Sequence, residues 1–115
     1  MLKYTWLMSR KNIEAEIRYI TRQLIEKYSP ERVILFGSAV RGDFGPDSDL
    51  DFLIIKKKTP RRRIDRMHEL RDLIDYHVAT DFLIYRPDEF EKRIRMGDPF
   101  LKIVLQEGKV LYGWL

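Results

Sequence analysis

Two short apolar runs constrain this chain more than any other feature. Arg32–Phe36 and Leu50–Ile55 are too short to make helices, and both are dominated by β-branched, aliphatic and aromatic side chains. Each predicts a buried strand. Between them, Gly37–Asp49 is crowded with Gly, Ser, Asp and Pro. It reads as a functional loop and not as a tight hairpin. The loop has no helix long enough for a crossover, so the two strands are expected to be antiparallel neighbours.

Helical patterns surround this pair. Ile13, Ile17, Ile20, Leu24 and Tyr28 recur at spacings of three and four, predicting one amphipathic helix over about Arg10–Tyr28 that Pro30 stops. A second helical stretch, Arg61–Tyr76, carries Ile64, Met67, Leu70 and Ile74 on one face. A third strand follows over Ala79–Tyr85, and the intervening helical crossover makes it parallel to the second. A helix opens at Pro87, Gly97 breaks it, and Asp98–Gln106 resumes as another that ends at Gly108. Val110–Tyr112 is a candidate edge strand. Interleaved helices and strands give an α/β layer arrangement.

Composition removes several function classes. The 115 residues, taken as residues 1–115, make one domain. There are no cysteines, which excludes disulfides, thiolate nucleophiles and Cys-based zinc sites and fits a reducing, cytoplasmic setting. No apolar run is long enough to span a membrane, and Met1–Arg10 reads as mature protein rather than as a signal peptide. The formal charge of +4 is the balance of 22 basic and 18 acidic residues, so an anionic partner is permitted and not demanded.

The chemistry concentrates in Phe36–Asp51. Asp49 and Asp51 open the second strand two residues apart, so their carboxylates point to one face. Like charges that close repel unless a cation lies between them, and oxygen-only ligands select a hard ion such as Mg²⁺. Gly37 permits a close backbone approach, and Ser38 with the following amides can open a short helix that accepts phosphate. Gly37 and Gly42 have the glycine spacing of a Walker loop, but Asp43 and Phe44 stand where Lys and Ser/Thr are needed. Asp47, Asp49 and Asp51 resemble half of an EF-hand loop, but Phe52 replaces its Gly and Lys58 its Glu. Topology adds Asp81, which heads the third strand at the same end of the sheet.

Gly37-Ser38, ten residues, then Asp49-x-Asp51 resembles the signature of the polymerase-beta-like nucleotidyltransferase superfamily, and the chain is similar to its minimal nucleotidyltransferase (MNT) branch. Arg41-Gly42, Pro46-Asp47-Ser48, the Asp81 strand, Pro87–Phe90 and the Pro99–Gly113 tail extend the likeness over about Ile13–Gly113. Ala39 stands where many relatives carry Arg, leaving Arg41 as the main cation of the loop. The resemblance implies a small mixed sheet with strands 1 and 2 antiparallel and strand 3 parallel, packed with helices. It implies that Asp49, Asp51 and Asp81 hold two Mg²⁺ ions and carry catalysis, with Asp81 a candidate acceptor of the nucleophile's proton. Gly37, Ser38 and Arg41 would bind the phosphates of an NTP, ATP being the expected donor. It further implies transfer of AMP to a protein hydroxyl, with a HEPN-domain toxin as partner and the chain as its antitoxin.

A binding-only antitoxin is the rival reading, and retention of all three carboxylates weighs against it. Antibiotic adenylylation would need a further domain, and nothing resembles a duplex-binding element, so nucleic acid is not the expected direct substrate. Homo- or hetero-oligomers are both compatible with the sequence. Lys56–Arg66 holds seven basic residues and reads as a solvated loop and helix start, with a docking patch as the alternative. His68 and His77 have no carboxylate or histidine at ligand spacing, and Arg63 with His68 matches a loose ribonuclease pattern by chance. Trp6 and Trp114 are read as core or as an apolar contact with a partner.

Overall fold

The computed structural model describes residues 10–113; the two tryptophans lie outside that range. Helix α1 (Arg10–Gln23) continues into a π-helical turn, Leu24–Tyr28, and Ser29 in the left-handed region donates its N–H back to Leu24 O. The remaining elements are β1 (Arg32–Phe36), α2 (Ser38–Arg41), β2 (Leu50–Ile55), α3 (Arg63–Leu73), β3 (Thr80–Tyr85), α4 (Pro87–Arg95), α5 (Pro99–Glu107) and β4 (Lys109–Tyr112). Among the described residues, four strands form one sheet in the order β3-β2-β1-β4. As the sequence predicts, β1 and β2 are antiparallel and β3 is parallel to β2; β4 adds an antiparallel edge on β1.

Strand alternation divides the core in two. Val33, Leu35, Phe52, Ile54, Phe82 and Ile84 face α1, its π-helical turn and α3, where Ile20, Leu24 and Leu70 are buried. Ile34, Leu53, Ile55 and Tyr85 face α4 and α5, which bring Phe90, Leu101 and Val104. Helices therefore cover both faces of a sheet whose inner strands are apolar on both sides. Each fully buried aliphatic or aromatic side chain contributes roughly 1.5–3 kcal/mol, so these two layers supply most of the drive to fold. No helix of the described residues is long and apolar enough to cross a membrane.

The functional loop contains the four-residue helix α2, the short helix expected to open at Ser38. Two features depart from the sequence expectations. The second predicted helix is shorter, and its face differs: Leu70 and Ile74 are buried, but Ile64 is 50% exposed. The place at the core is taken by Arg66, which is fully buried although the basic run reads as solvated. Its guanidinium donates to the carbonyls of Pro60, Arg61 and Ile84 and makes a two-pronged contact with Glu89 at 2.8 and 3.1 Å. That bond set joins the start of α3 to β3 and α4, and it holds the Glu89 carboxyl below its ordinary range.

Polar bonds also tie α1 to the segment before β3. The Gln23 amide accepts from Asp75 N at 2.8 Å and donates to Asp75 O at 2.7 Å. Buried Glu16 accepts from the His77 N–H and lies 3.0 Å from His77 Nδ1, while the Tyr19 ring stacks on the imidazole. The fold thus gives His77 a buried carboxylate from 61 positions away, beside Asp75, whose Oδ2 lies 3.8 Å from its Nε2. Glu16 raises the His77 pKa above 6.5.

Candidate active site

Three strand ends meet where β1 finishes and β2 and β3 begin. Phe36 is the antiparallel partner of Asp51, and Asp51 is the parallel partner of Asp81. Asp51 shares its sheet face with Leu53 and Ile55, and Asp81 shares it with Tyr85, so both carboxylates lie on the α4–α5 side. Phe36 lies beside them and packs edge-on against Phe100 of α5, with ring centroids 5.6 Å apart. The Leu50 N–H donates to Ala79 O at 2.9 Å, fixing the start of β2 against the start of β3. Ahead of Asp49, Gly45 and Ser48 close a turn from both sides: Ser48 N bonds Gly45 O, and Gly45 N bonds Ser48 Oγ.

Gly37 makes this convergence possible. Its φ of +79° is one that side chains rarely tolerate, and a Cβ there would collide with Asp51 Oδ2. The backbone turns directly over the carboxylate and runs into α2, with Ser38 as its first residue. Arg41 closes α2, forms an exposed ion pair with Asp43 at 3.5 Å, and still lies near enough to Asp51 to favour its charged form.

The electrostatics centre on Asp51. Its carboxyl is half-buried, and desolvation pushes its pKa up to about 6, with further upward contributions from Asp81 and Asp49. Asp49 and Asp81 are exposed. The structure therefore gathers Asp51, Asp49, Asp81, Gly37 and Arg41 at one end of the sheet, with Ser38 one residue beyond Gly37. The donor set is all oxygen, and its excess negative charge is of the kind that a hard divalent cation relieves. By residue type and placement the group suits such an ion, yet among the described residues no three Asp, Glu or His side chains already close on a common point. A cleft of about 670 Å³ between the start of α3 and α4 lies elsewhere. Among the described residues the site is an exposed platform, with Asp49 and Asp81 open to solvent.

Comparison with known proteins agrees with this geometry. The family description "Nucleotidyltransferase domain" matches residues 17–112. A Methanocaldococcus jannaschii protein named "Putative protein adenylyltransferase" is 35% identical over 103 residues, covering 88% of this chain and 99% of the relative. A second protein of that name from the same organism is 52% identical over 85 residues, which are 70% of this chain and 56% of the relative. A crystal structure described as a "putative nucleotidyltransferase from Sulfolobus solfataricus" superposes with a TM-score of 0.55 at 22% identity, covering 88% of this chain and 86% of the other, and shares its fold. The signature residues, the mixed sheet that aligns them and the match over most of its length place the chain in the nucleotidyltransferase domain family.

Proposed function

We propose that this nucleotidyltransferase moves AMP from ATP onto a hydroxyl of another protein, in a reaction that depends on Mg²⁺. The observation that carries the reading is Asp51, a half-buried carboxylate in register with Asp81 and directly beneath the Gly37 turn. Asp49, Asp51 and Asp81 would hold the divalent ions, whose contribution is to neutralise charge on the entering and leaving oxygens. The phosphates of ATP would lie against the backbone of Gly37 and Ser38, where the first N–H groups of α2 lack intrahelical acceptors, with Arg41 offsetting charge on the departing end. The acceptor oxygen attacks the α-phosphorus, and the bond from that phosphorus to the β-phosphate bridging oxygen breaks. Pyrophosphate leaves, and the hydroxyl proton passes to Asp81, whose exposure lets the acceptor reach it.

A protein acceptor is supported by the names of the relatives and by the platform itself. Among the described residues nothing at the acids encloses a small acceptor, and a second macromolecule would supply both the hydroxyl and the covering wall. On the MNT resemblance, the partner is a HEPN-domain toxin. Adding AMP near a site that binds RNA phosphates would place negative charge against them and silence it. The test is to incubate the protein with Mg²⁺, labelled ATP and a candidate HEPN partner, then weigh the partner by mass spectrometry. A mass increase of one or more AMP groups, absent with Asp51→Asn, is the expected result. An unmodified yet neutralised partner would instead establish a binding-only antitoxin.

A further inference from the structure

A basic cleft lies on the same sheet face as the acids but at the other end of β3. Arg63 holds its guanidinium 4.9 Å from the ring of Tyr85, the last residue of β3, whereas Asp81 is near its start. Four residue steps along the strand separate the two, roughly 13 Å. The cleft runs between the start of α3 and α4, with Arg61, Arg63, Lys92, Arg93, Met96 and Pro99 among its lining residues and a volume of about 670 Å³.

Its charge is uncompensated. Both of its carboxylates are already engaged: Glu89 with buried Arg66, and Asp98 with Arg93 at 3.2 Å and with the first amides of α5. Among the described residues no carboxylate pairs with Arg61, Arg63 or Lys92. The frame is also stiff. The Arg61 carbonyl is pinned by Arg66, which joins α3 to α4, and Arg63 is seated on Tyr85. Side chains fixed in advance lose less entropy when they bind.

The lining decides the kind of partner. A 670 Å³ cleft is too large for a lone phosphate, and among the described residues no aromatic side chain lines it as a stacking platform for bases. Tyr85 and Phe90 are buried beneath it. Apolar groups stand among the cations instead: Met96, which is 74% exposed, and Pro99 both line the cleft. Arginine and methionine beside aliphatic side chains are what protein interfaces select. We infer that this cleft docks an acidic, apolar-flanked segment of the acceptor protein. Docking and chemistry are then separate, and a single acceptor must span about 13 Å to meet both, which a macromolecule does and a small substrate does not. The acceptor role rests on the proposed transfer; binding by the cleft does not.

The probe is a fluorescein-labelled short peptide of alternating Glu and Leu, followed by anisotropy on the full chain, with oligo(U) RNA as competitor. Arg61→Ala, Arg63→Ala and Lys92→Ala should each weaken peptide binding about two- to fivefold, and together by about tenfold or more. Arg61→Glu with Lys92→Glu, which keeps the Arg63–Tyr85 contact, should abolish it. ATP binding should be unchanged in all of these, and Asp51→Asn should bind peptide normally. The proposal is overturned if the triple variant binds peptide as well as the wild type. It is equally overturned if oligo(U) displaces the peptide and binds more tightly through the same three residues. If transfer fails for every protein tested while peptide binding still depends on these cations, the docking surface stands and the transfer reading falls.

Discussion

Replacing Asp51 with Asn separates what the site costs from what it does. In the folded chain the carboxyl holds its proton up to about pH 6, against 3.8 for a free carboxyl, because burial and its two acidic neighbours disfavour the charge. A group whose folded pKa is raised gives stability that is fully present below the unfolded value and is lost as pH rises through the folded one. The wild type therefore loses stability between about pH 4 and pH 6, relative to a variant that cannot ionise. Taken at face value, a rise of that size would be worth roughly 3 kcal/mol, and solvent screening of a half-exposed carboxylate reduces this to about 1 kcal/mol.

Asp51→Asn should then equal the wild type in stability near pH 4 and exceed it by about 1 kcal/mol at pH 8, a Tm gain of about 4 °C. Urea denaturation across this pH range measures the difference directly. Added Mg²⁺ should reverse the order, because binding to the native state alone stabilises by about 2.7 kcal/mol at a hundred times Kd. The wild type would gain and the variant would not, while the variant loses transfer. A variant less stable than the wild type at pH 8, or a difference that ignores pH, would refute the account of Asp51 as a desolvated, crowded carboxylate.

Gly37→Ala should lose transfer and about 1–3 kcal/mol of stability, since it combines a strained φ with a collision that displaces Asp51; activity and urea curves on one preparation test both. Arg41→Ala and Ser38→Ala should weaken ATP binding about 10- to 100-fold by calorimetry, with Mg²⁺ still required. Arg66→Ala should cost about 3–5 kcal/mol in urea denaturation, because it empties a fully buried site, leaves Ile84 O without its buried donor and removes the partner of half-exposed Glu89, and Arg66→Lys should recover only part. Gln23→Ala, which removes both bonds to the Asp75 backbone, should cost about 1–3 kcal/mol and lower transfer without touching the site, read by comparing stability with turnover.

The sheet was legible because its signals are local. The apolar runs, their alternation and the glycine after Phe36 set β1, β2 and their pairing, and the helical length before Ala79 set the parallel β3. Asp81 could be aligned with Asp51 from topology alone, and the pair are in-register partners. The features that stayed hidden depend on partners distant in sequence. Arg66 is a surface residue by type; only Glu89, 23 positions on, and three carbonyls make it a core one. Its place four residues before Leu70, on the same helix face, was the available signal. Glu16 and His77 are 61 positions apart, and nothing near either announces the other. The π-helical turn at Leu24–Tyr28 likewise contains no Gly or Pro to mark the change from α1.

The catalytic geometry rests on one strand pairing. Among the described residues β3 is an edge strand whose sole neighbour in the sheet is β2. A slip of one residue would turn Asp81 to the α1–α3 face and put Thr80 or Phe82 opposite Asp51 in its place. Parallel pairing does not itself prevent slippage; the burial of Phe82 and Ile84 on one face and Tyr85 on the other does. Bonds at both ends of β3 add to that control. Gln23 and Glu16 hold the approach at Asp75 and His77, and Arg66 grips Ile84 O near the exit. These contacts bind no nucleotide, yet they align the two carboxylates against their mutual repulsion. A chain that must keep like charges adjacent needs such rigidity around them more than within them. This accounts for buried Arg, Glu and Gln side chains in a sheet whose own residues are nearly all apolar.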